Sequence, residues 1–236
     1  MSDGQRNTRI LSIVTGMAML VAMGMLFFYL PQMRSESGQL LDSSFKIFYF
    51  HLPIALVSYL AFTVVFLSSA QFLRSGEHRW DVLSASSAQI GVIFAFLVLA
   101  TGSLWAHATW GWYWIWEPRL TTSLALFLVY LAYLLLRQAI DEPEGRARLS
   151  AVFGIVGFLS VPLSFLSIRL WRSAHPLMFG DAAYGGSGGG LEGSSLQLTL
   201  VMNFIAFILL YVTLLMYRIH NEQMQENIAT KKRSME

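Results

Sequence analysis

The chain has 236 residues, of which 55% are hydrophobic, 14% aromatic and only 13% charged, with a net charge of +2 and no cysteine. Soluble domains carry about twice that charged share. So much apolar surface cannot be hidden in one soluble core of this length, and the chain is read as an integral membrane protein. The lack of cysteine excludes disulfide chemistry and thioether attachment of a prosthetic group.

Six apolar runs are long enough to cross a bilayer: 10–30, 47–73, 83–105, 120–136, 149–170 and 196–217. Unpaired backbone groups are costly in lipid, so these runs must be helices. They are too long and too uniformly apolar for barrel strands. The expected fold is all-α, a polytopic bundle of six transmembrane helices forming one domain over residues 1–236. The first run lacks a small-residue cleavage site and is read as a retained helix rather than a signal peptide.

Lysine and arginine give the expected orientation. One side collects Arg6, Arg9, Arg74, Arg79, Arg137, Arg146, Arg148, Arg218, Lys231, Lys232 and Arg233, and the other only Arg34, Lys46, Arg119, Arg169 and Arg172. Both termini are therefore expected in the cytoplasm. The sequence pI of about 9.0 then reflects topology, not nucleic-acid binding.

In chain order, the first helix carries no ionisable residue, and a polar outer loop leads into Phe45-Lys46-Ile47-Phe48-Tyr49-Phe50-His51-Leu52-Pro53. His51 falls in the first turns of helix two, near the outer surface, and Pro53 leaves backbone carbonyls unpaired close by. The inner connection 74–82, with His78, Glu77, Arg79 and Asp81, reads as solvated. Helix three closes on Thr101-Gly102-Ser103-Leu104-Trp105, followed by His107, a reserve candidate. An outer loop at about 105–120 then contains Trp110-Gly111-Trp112-Tyr113-Trp114-Ile115-Trp116-Glu117-Pro118-Arg119-Leu120-Thr121.

Tryptophan at every second position would set all four indoles on one face of an extended segment. In a helix it would pair Trp110 with Trp114 and Trp112 with Trp116. Either arrangement makes a broad electron-rich shelf, which Pro118 ends because it disfavours helix at Glu117. Thr121, Thr122 and Ser123 suit the start of helix four. The mixed-charge turn 138–148 is a soluble connection. Helix five ends in Ser167-Ile168-Arg169-Leu170-Trp171-Arg172-Ser173-Ala174-His175-Pro176. An outer loop at about 171–195 includes the glycine run 185–190, expected to be flexible. Helix six and the basic 231–233 tail complete the chain.

No Asp, Glu or Lys lies inside the six runs, which argues against proton pumps and ion-coupled transporters. The glycine run lacks the Gly-Lys-Ser/Thr ending of a phosphate loop, and no His-Glu-x-x-His pattern is present. What remains is an outward aromatic shelf with histidines on either side of it in sequence. That combination suits a large, flat, apolar macrocycle with a central metal and carboxylates at its rim, in other words haem. Indoles pack on the porphyrin, two imidazoles fill the axial positions, and Arg119, with Arg169 or Arg172, pairs with propionates. Glu117 is assigned to orienting Arg119 or a loop backbone.

The run from Trp110 to Thr121 resembles the tryptophan-rich "WWD" signature of haem-handling proteins in cytochrome c maturation, and its Arg119-Leu120-Thr121 ending is similar to the six-span CcmC branch. The likeness extends to the helix count, to His51 at the start of helix two and to His175 after helix five. It implies that His51 and His175 are axial ligands of a transiently held haem b, and that Trp110, Trp112, Trp114 and Trp116, with Glu117 and Arg119, form the binding loop. The family usually carries aspartate where this chain has Glu117, one methylene longer.

The resemblance implies partners as well: a periplasmic CcmE-type haem chaperone, the ATPase and membrane subunits of an ABC transporter, and a small single-helix membrane protein, all at a bacterial inner membrane amid its lipids and with no nucleic acid. The expected role is a haem platform rather than an enzyme. Two alternatives stay open at this point. One is a ligation component of the other cytochrome c assembly system; the other is an electron-transfer b-type cytochrome subunit.

Overall fold

The computed structural model describes residues 3–31, 43–173, 175 and 194–234. The glycine run lies outside them. Six of its helical stretches are long and apolar enough to span a membrane, so the chain is an all-α polytopic membrane protein, as expected. Helix α1 (Asp3–Gly24) continues into a wider turn, Met25–Tyr29, closed by a bond from the Leu30 N–H to the Met25 carbonyl. A tight turn at Ser43–Ile47 runs straight into α2 (Phe48–Ser75), and α3 covers His78–Trp110. Next come α4 (Pro118–Ala139), α5 (Pro143–Gly157), α6 (Ser160–Leu170) and α7 (Ser194–Arg233).

Two departures from the expected elements stand out. The fifth span is two helices, because the chain turns at Phe158–Leu159 before α6 begins. The last helix does not stop near Tyr217 but carries on through the basic segment to Arg233.

Helices α2 and α3 form the central antiparallel pair. Their connection is only Gly76 and Glu77; Gly76 takes φ +69° and donates its N–H to the Phe72 carbonyl, the left-handed helix end that glycine adopts without penalty. On one side the pair packs against α4 and α5, with α6 lying on α4; on the other it packs against α7, which carries α1. Small residues allow the close crossing. A Cβ at Gly91 would stand 2.6 Å from the Phe62 ring, and Ser69, Ser84 and Tyr133 join hydroxyls across three helices. Lipid gives no hydrophobic push between helices, so such close contacts and hydroxyl bonds supply the association. Phe62 in turn stacks on Tyr130, with ring centres 3.7 Å apart.

The connection read as solvated proves to be partly interior. Asp81 is buried in the first turn of α3, not in a loop, and Arg137 at the end of α4 meets it with two parallel bonds of 2.6 and 2.8 Å. A charge there is tolerable because its partner neutralises it in the fork geometry that guanidinium and carboxylate share. At 33 residues, α3 is roughly 50 Å long against a hydrocarbon core of about 30 Å, so it projects beyond the bilayer and carries the tryptophan segment on its far end.

Candidate functional site

The end of the bundle opposite Asp81 gathers His51, His175 and most of the tryptophans. His51 sits in the first turn of α2, where Pro53 lacks the N–H that would bond to the Tyr49 carbonyl. Its Nδ1 lies 2.8 Å from the Thr101 hydroxyl on α3, and its ring lies against Gly102. His175 reaches the same place from the segment after α6. The two imidazole ring centres are 6.4 Å apart with planes inclined by 35°. With metal–nitrogen bonds of roughly 2 Å and ring centres about 1 Å behind the nitrogens, two imidazoles on one metal stand roughly 6 Å apart.

Two cavities meet at this pair. The larger, about 230 Å³, opens among α2, α4 and α6 and is walled by Phe48, Leu52, Tyr59 and Phe165 together with Arg119 and Arg169. A smaller one of about 40 Å³ lies beneath the tryptophan segment and adds Gly102, Trp110 and Trp114. His51, Trp105, Arg119 and His175 line both.

Arg119 is in the first turn of α4, directly after the helix-starting Pro118. Its guanidinium donates to the Ser164 carbonyl at 2.6 Å and lies 5.9 Å from the Tyr59 ring centre. The Ser164 hydroxyl bonds to Tyr59 and Ser123, so α2, α4 and α6 are joined around this cation. Arg169 stacks over Phe165 at 5.0 Å. Arg172 is exposed and lines neither cavity.

The tryptophan segment does not make one flat shelf. Helix α3 extends through Trp110, and Gly111 at φ +81° reverses the chain, its N–H capping the His107 carbonyl. That reversal breaks the every-second-residue register. The indoles associate instead as Trp110 with Trp112 (6.5 Å, stacked) and Trp114 with Trp116 (5.6 Å, edge-on). Ser103 donates to the Tyr113 carbonyl and folds the segment back over α3. Trp110 and Trp114 face the smaller cavity, while Trp112 and Trp116 are 45% and 77% exposed. His107 stacks on Tyr113 with ring centres 4.0 Å apart and lines neither cavity.

Glu117 is buried, and one of its bonds reaches the segment after α6. Its Oε2 accepts from the Ser173 hydroxyl at 2.5 Å, and the Ser173 oxygen accepts from the His175 N–H at 3.1 Å. The acid at the head of α4 thus holds the backbone that presents His175.

Comparison with known proteins decides the family. The family model described as Heme exporter protein C, CcmC, matches residues 4–234. The chain belongs to the CcmC family. A Heme exporter protein C from Bradyrhizobium diazoefficiens is 36% identical over 183 residues, covering 78% of this chain and 68% of the relative. One from Paracoccus denitrificans is 27% identical over 217 residues, covering 92% and 87%. The Escherichia coli K12 protein is 29% identical over 133 residues, covering 56% and 54%.

In this CcmC-family chain, three residues at the site were not singled out by sequence. Trp105 contacts the His175 ring at 6.5 Å, Trp110 at 5.2 Å and Phe45 at 6.1 Å, linking both histidine-bearing segments to α3. Thr101 lies one helical turn before it, on the same face. Ser173 links Glu117 to His175. A turn-by-turn reading of α3 would have found the first two; Ser173 could be recognised only once Glu117 was placed beside it.

Proposed function

We propose that this chain holds haem at the tryptophan-bearing end of the bundle, between His51 and His175, and passes it to a periplasmic haem chaperone during cytochrome c maturation. The observation that carries this reading is the 6.4 Å separation of the two imidazole centres, which suits two axial ligands of a single iron. The relatives' printed name, Heme exporter protein C, agrees with haem as the cargo.

The remaining surroundings fit such a cargo. Apolar and aromatic walls suit the macrocycle, and Arg119 and Arg169 are two cations within reach of carboxylates at its rim. The cleft is smaller than the usual range of about 300–1,000 Å³ for sites that engulf a ligand. A cleft of this size suits a cargo that is held only in part and then transferred. Exposed Trp112, Tyr113 and Trp116 give a receiving protein something to bind. The lysine and arginine distribution supports an orientation with this end outside the cytoplasm. In this reading the chain is a carrier rather than an enzyme, and any ATP hydrolysis belongs to ABC-type partner subunits.

The test is the visible spectrum of the purified protein loaded with haem. Wild type and His107→Ala should both show six-coordinate, low-spin iron. His51→Ala and His175→Ala should each lose that signature. Retention of wild-type ligation in both variants would refute the proposal.

A further inference from the structure

Three contacts meet at the Thr101 hydroxyl, one of them a long 3.4 Å approach to the Val98 carbonyl. The hydroxyl oxygen is 2.6 Å from the Leu97 carbonyl oxygen and 2.8 Å from His51 Nδ1. A hydroxyl carries one proton, and a carbonyl oxygen can only accept. If that proton pointed at His51, two oxygens would face each other at 2.6 Å with no hydrogen between them, a repulsive arrangement. The proton therefore lies on the Leu97 side, and the hydroxyl turns a lone pair toward the ring. His51 Nδ1 must then be the donor. A neutral imidazole has a single N–H, so Nε2 is the nitrogen with a lone pair to give a metal.

Gly102 completes the seat. A Cβ at that position would lie 3.1 Å from His51 Cε1, closer than the ring tolerates without moving. Adjacent residues of one helix thus fix the tautomer of His51 and leave room for its plane. The hydroxyl's own geometry is set by the α3 backbone, since its proton is committed to the carbonyl one turn earlier.

We propose that Thr101 is a positioning residue that locks His51 in the Nδ1–H tautomer and presents Nε2 to the iron. The inference rests on the axial-ligand reading of His51 above. Metal-bound histidines commonly donate their second ring N–H to a fixed acceptor, and loss of that acceptor typically costs 10–100-fold in affinity.

The experiment uses the full-length protein in detergent, loaded with ferric haem, and measures spin state and the rate at which an excess of haem-scavenging apoprotein removes the haem. Thr101→Val deletes the acceptor at nearly constant shape, and Thr101→Ala deletes it with a strong helix former, so folding is retained in at least one of them. Both should lose haem on the order of ten-fold faster and shift part of the iron to high spin. Thr101→Ser, which keeps the hydroxyl, should restore both readouts. Wild-type spin state and release rate in Thr101→Val and Thr101→Ala would overturn the inference. His51→Ala in the same series separates the two failures. If it abolishes the low-spin spectrum while the Thr101 variants do nothing, only the positioning role falls. If it too leaves ligation unchanged, the axial assignment falls with it.

Discussion

Glu117 and Ser173 are 56 positions apart in sequence, yet the serine hydroxyl donates to the buried carboxylate at 2.5 Å. That bond ties the end of the tryptophan segment to the stretch that carries His175, so the acid acts on the second histidine through the backbone.

Three substitutions separate acceptor, charge and reach at Glu117. Glu117→Gln keeps a carbonyl oxygen that can still accept from Ser173, and should keep low-spin iron. Glu117→Ala removes the acceptor and strands Ser173; a bond to a charged group is worth about 1.5–3 kcal/mol, so low-spin occupancy should fall clearly. Glu117→Asp is one methylene shorter and should fall between them unless the segment shifts inward. Ser173→Ala should match Glu117→Ala. Haem titration with spin-state readout checks all four; equal spectra throughout would disprove the link.

Aromatic substitutions should divide by exposure rather than by motif membership. Trp105 touches His175, Trp110 and Phe45, so Trp105→Ala should lower haem retention and stability together. Loss of a large packed aromatic costs about 3–5 kcal/mol. Trp116 is 77% exposed, and Trp116→Ala should leave haem content intact while slowing transfer to the chaperone. Bound haem per protein and transfer rate, measured on the same samples, decide the matter.

Gly111 and Gly76 make a matched pair of left-handed helix ends, at φ +81° and +69°. Placing a Cβ in that conformation costs about 1–2 kcal/mol, so each Gly→Ala variant should melt lower by a similar amount. Only Gly111→Ala should also disturb haem binding, because Gly111 sets where Trp112 to Trp116 run. If Gly76→Ala impairs haem binding equally, the effect is general loosening and not loop geometry.

At the opposite end, Asp81 and Arg137 form a largely buried pair. Arg137→Met or Asp81→Asn alone leaves an uncompensated group, at a cost of about 3–5 kcal/mol. The double change Asp81→Leu with Arg137→Met should recover most of that loss. Thermal unfolding in detergent measures it. The haem spectrum of whatever remains folded should stay that of wild type.

The spans were legible because membrane crossing demands an uninterrupted apolar length, which composition alone displays. His51, Trp110 and Arg119 were legible because ionisable and aromatic groups at the rim of such spans are conspicuous. Asp81 was misread because its neutralising partner lies 56 positions away, and nothing near it in sequence announces burial. The single shelf of indoles failed on one backbone angle, the positive φ of Gly111, which side-chain spacing cannot reveal. Thr101 escaped notice because a threonine in an apolar helix usually bonds to its own backbone, as this one also does.

Helix α3 supplies Thr101, Gly102, Trp105 and Trp110 at one end and Asp81 at the other, as one unbroken rod of 33 residues. The stretch from the acid to the last indole is roughly 44 Å at 1.5 Å per residue. Pivoting such a lever about its ion-paired foot by about five degrees would carry its tip roughly 4 Å, about twice a metal–nitrogen bond length. Any change of tilt at Asp81 is therefore felt most at the indole end of the helix.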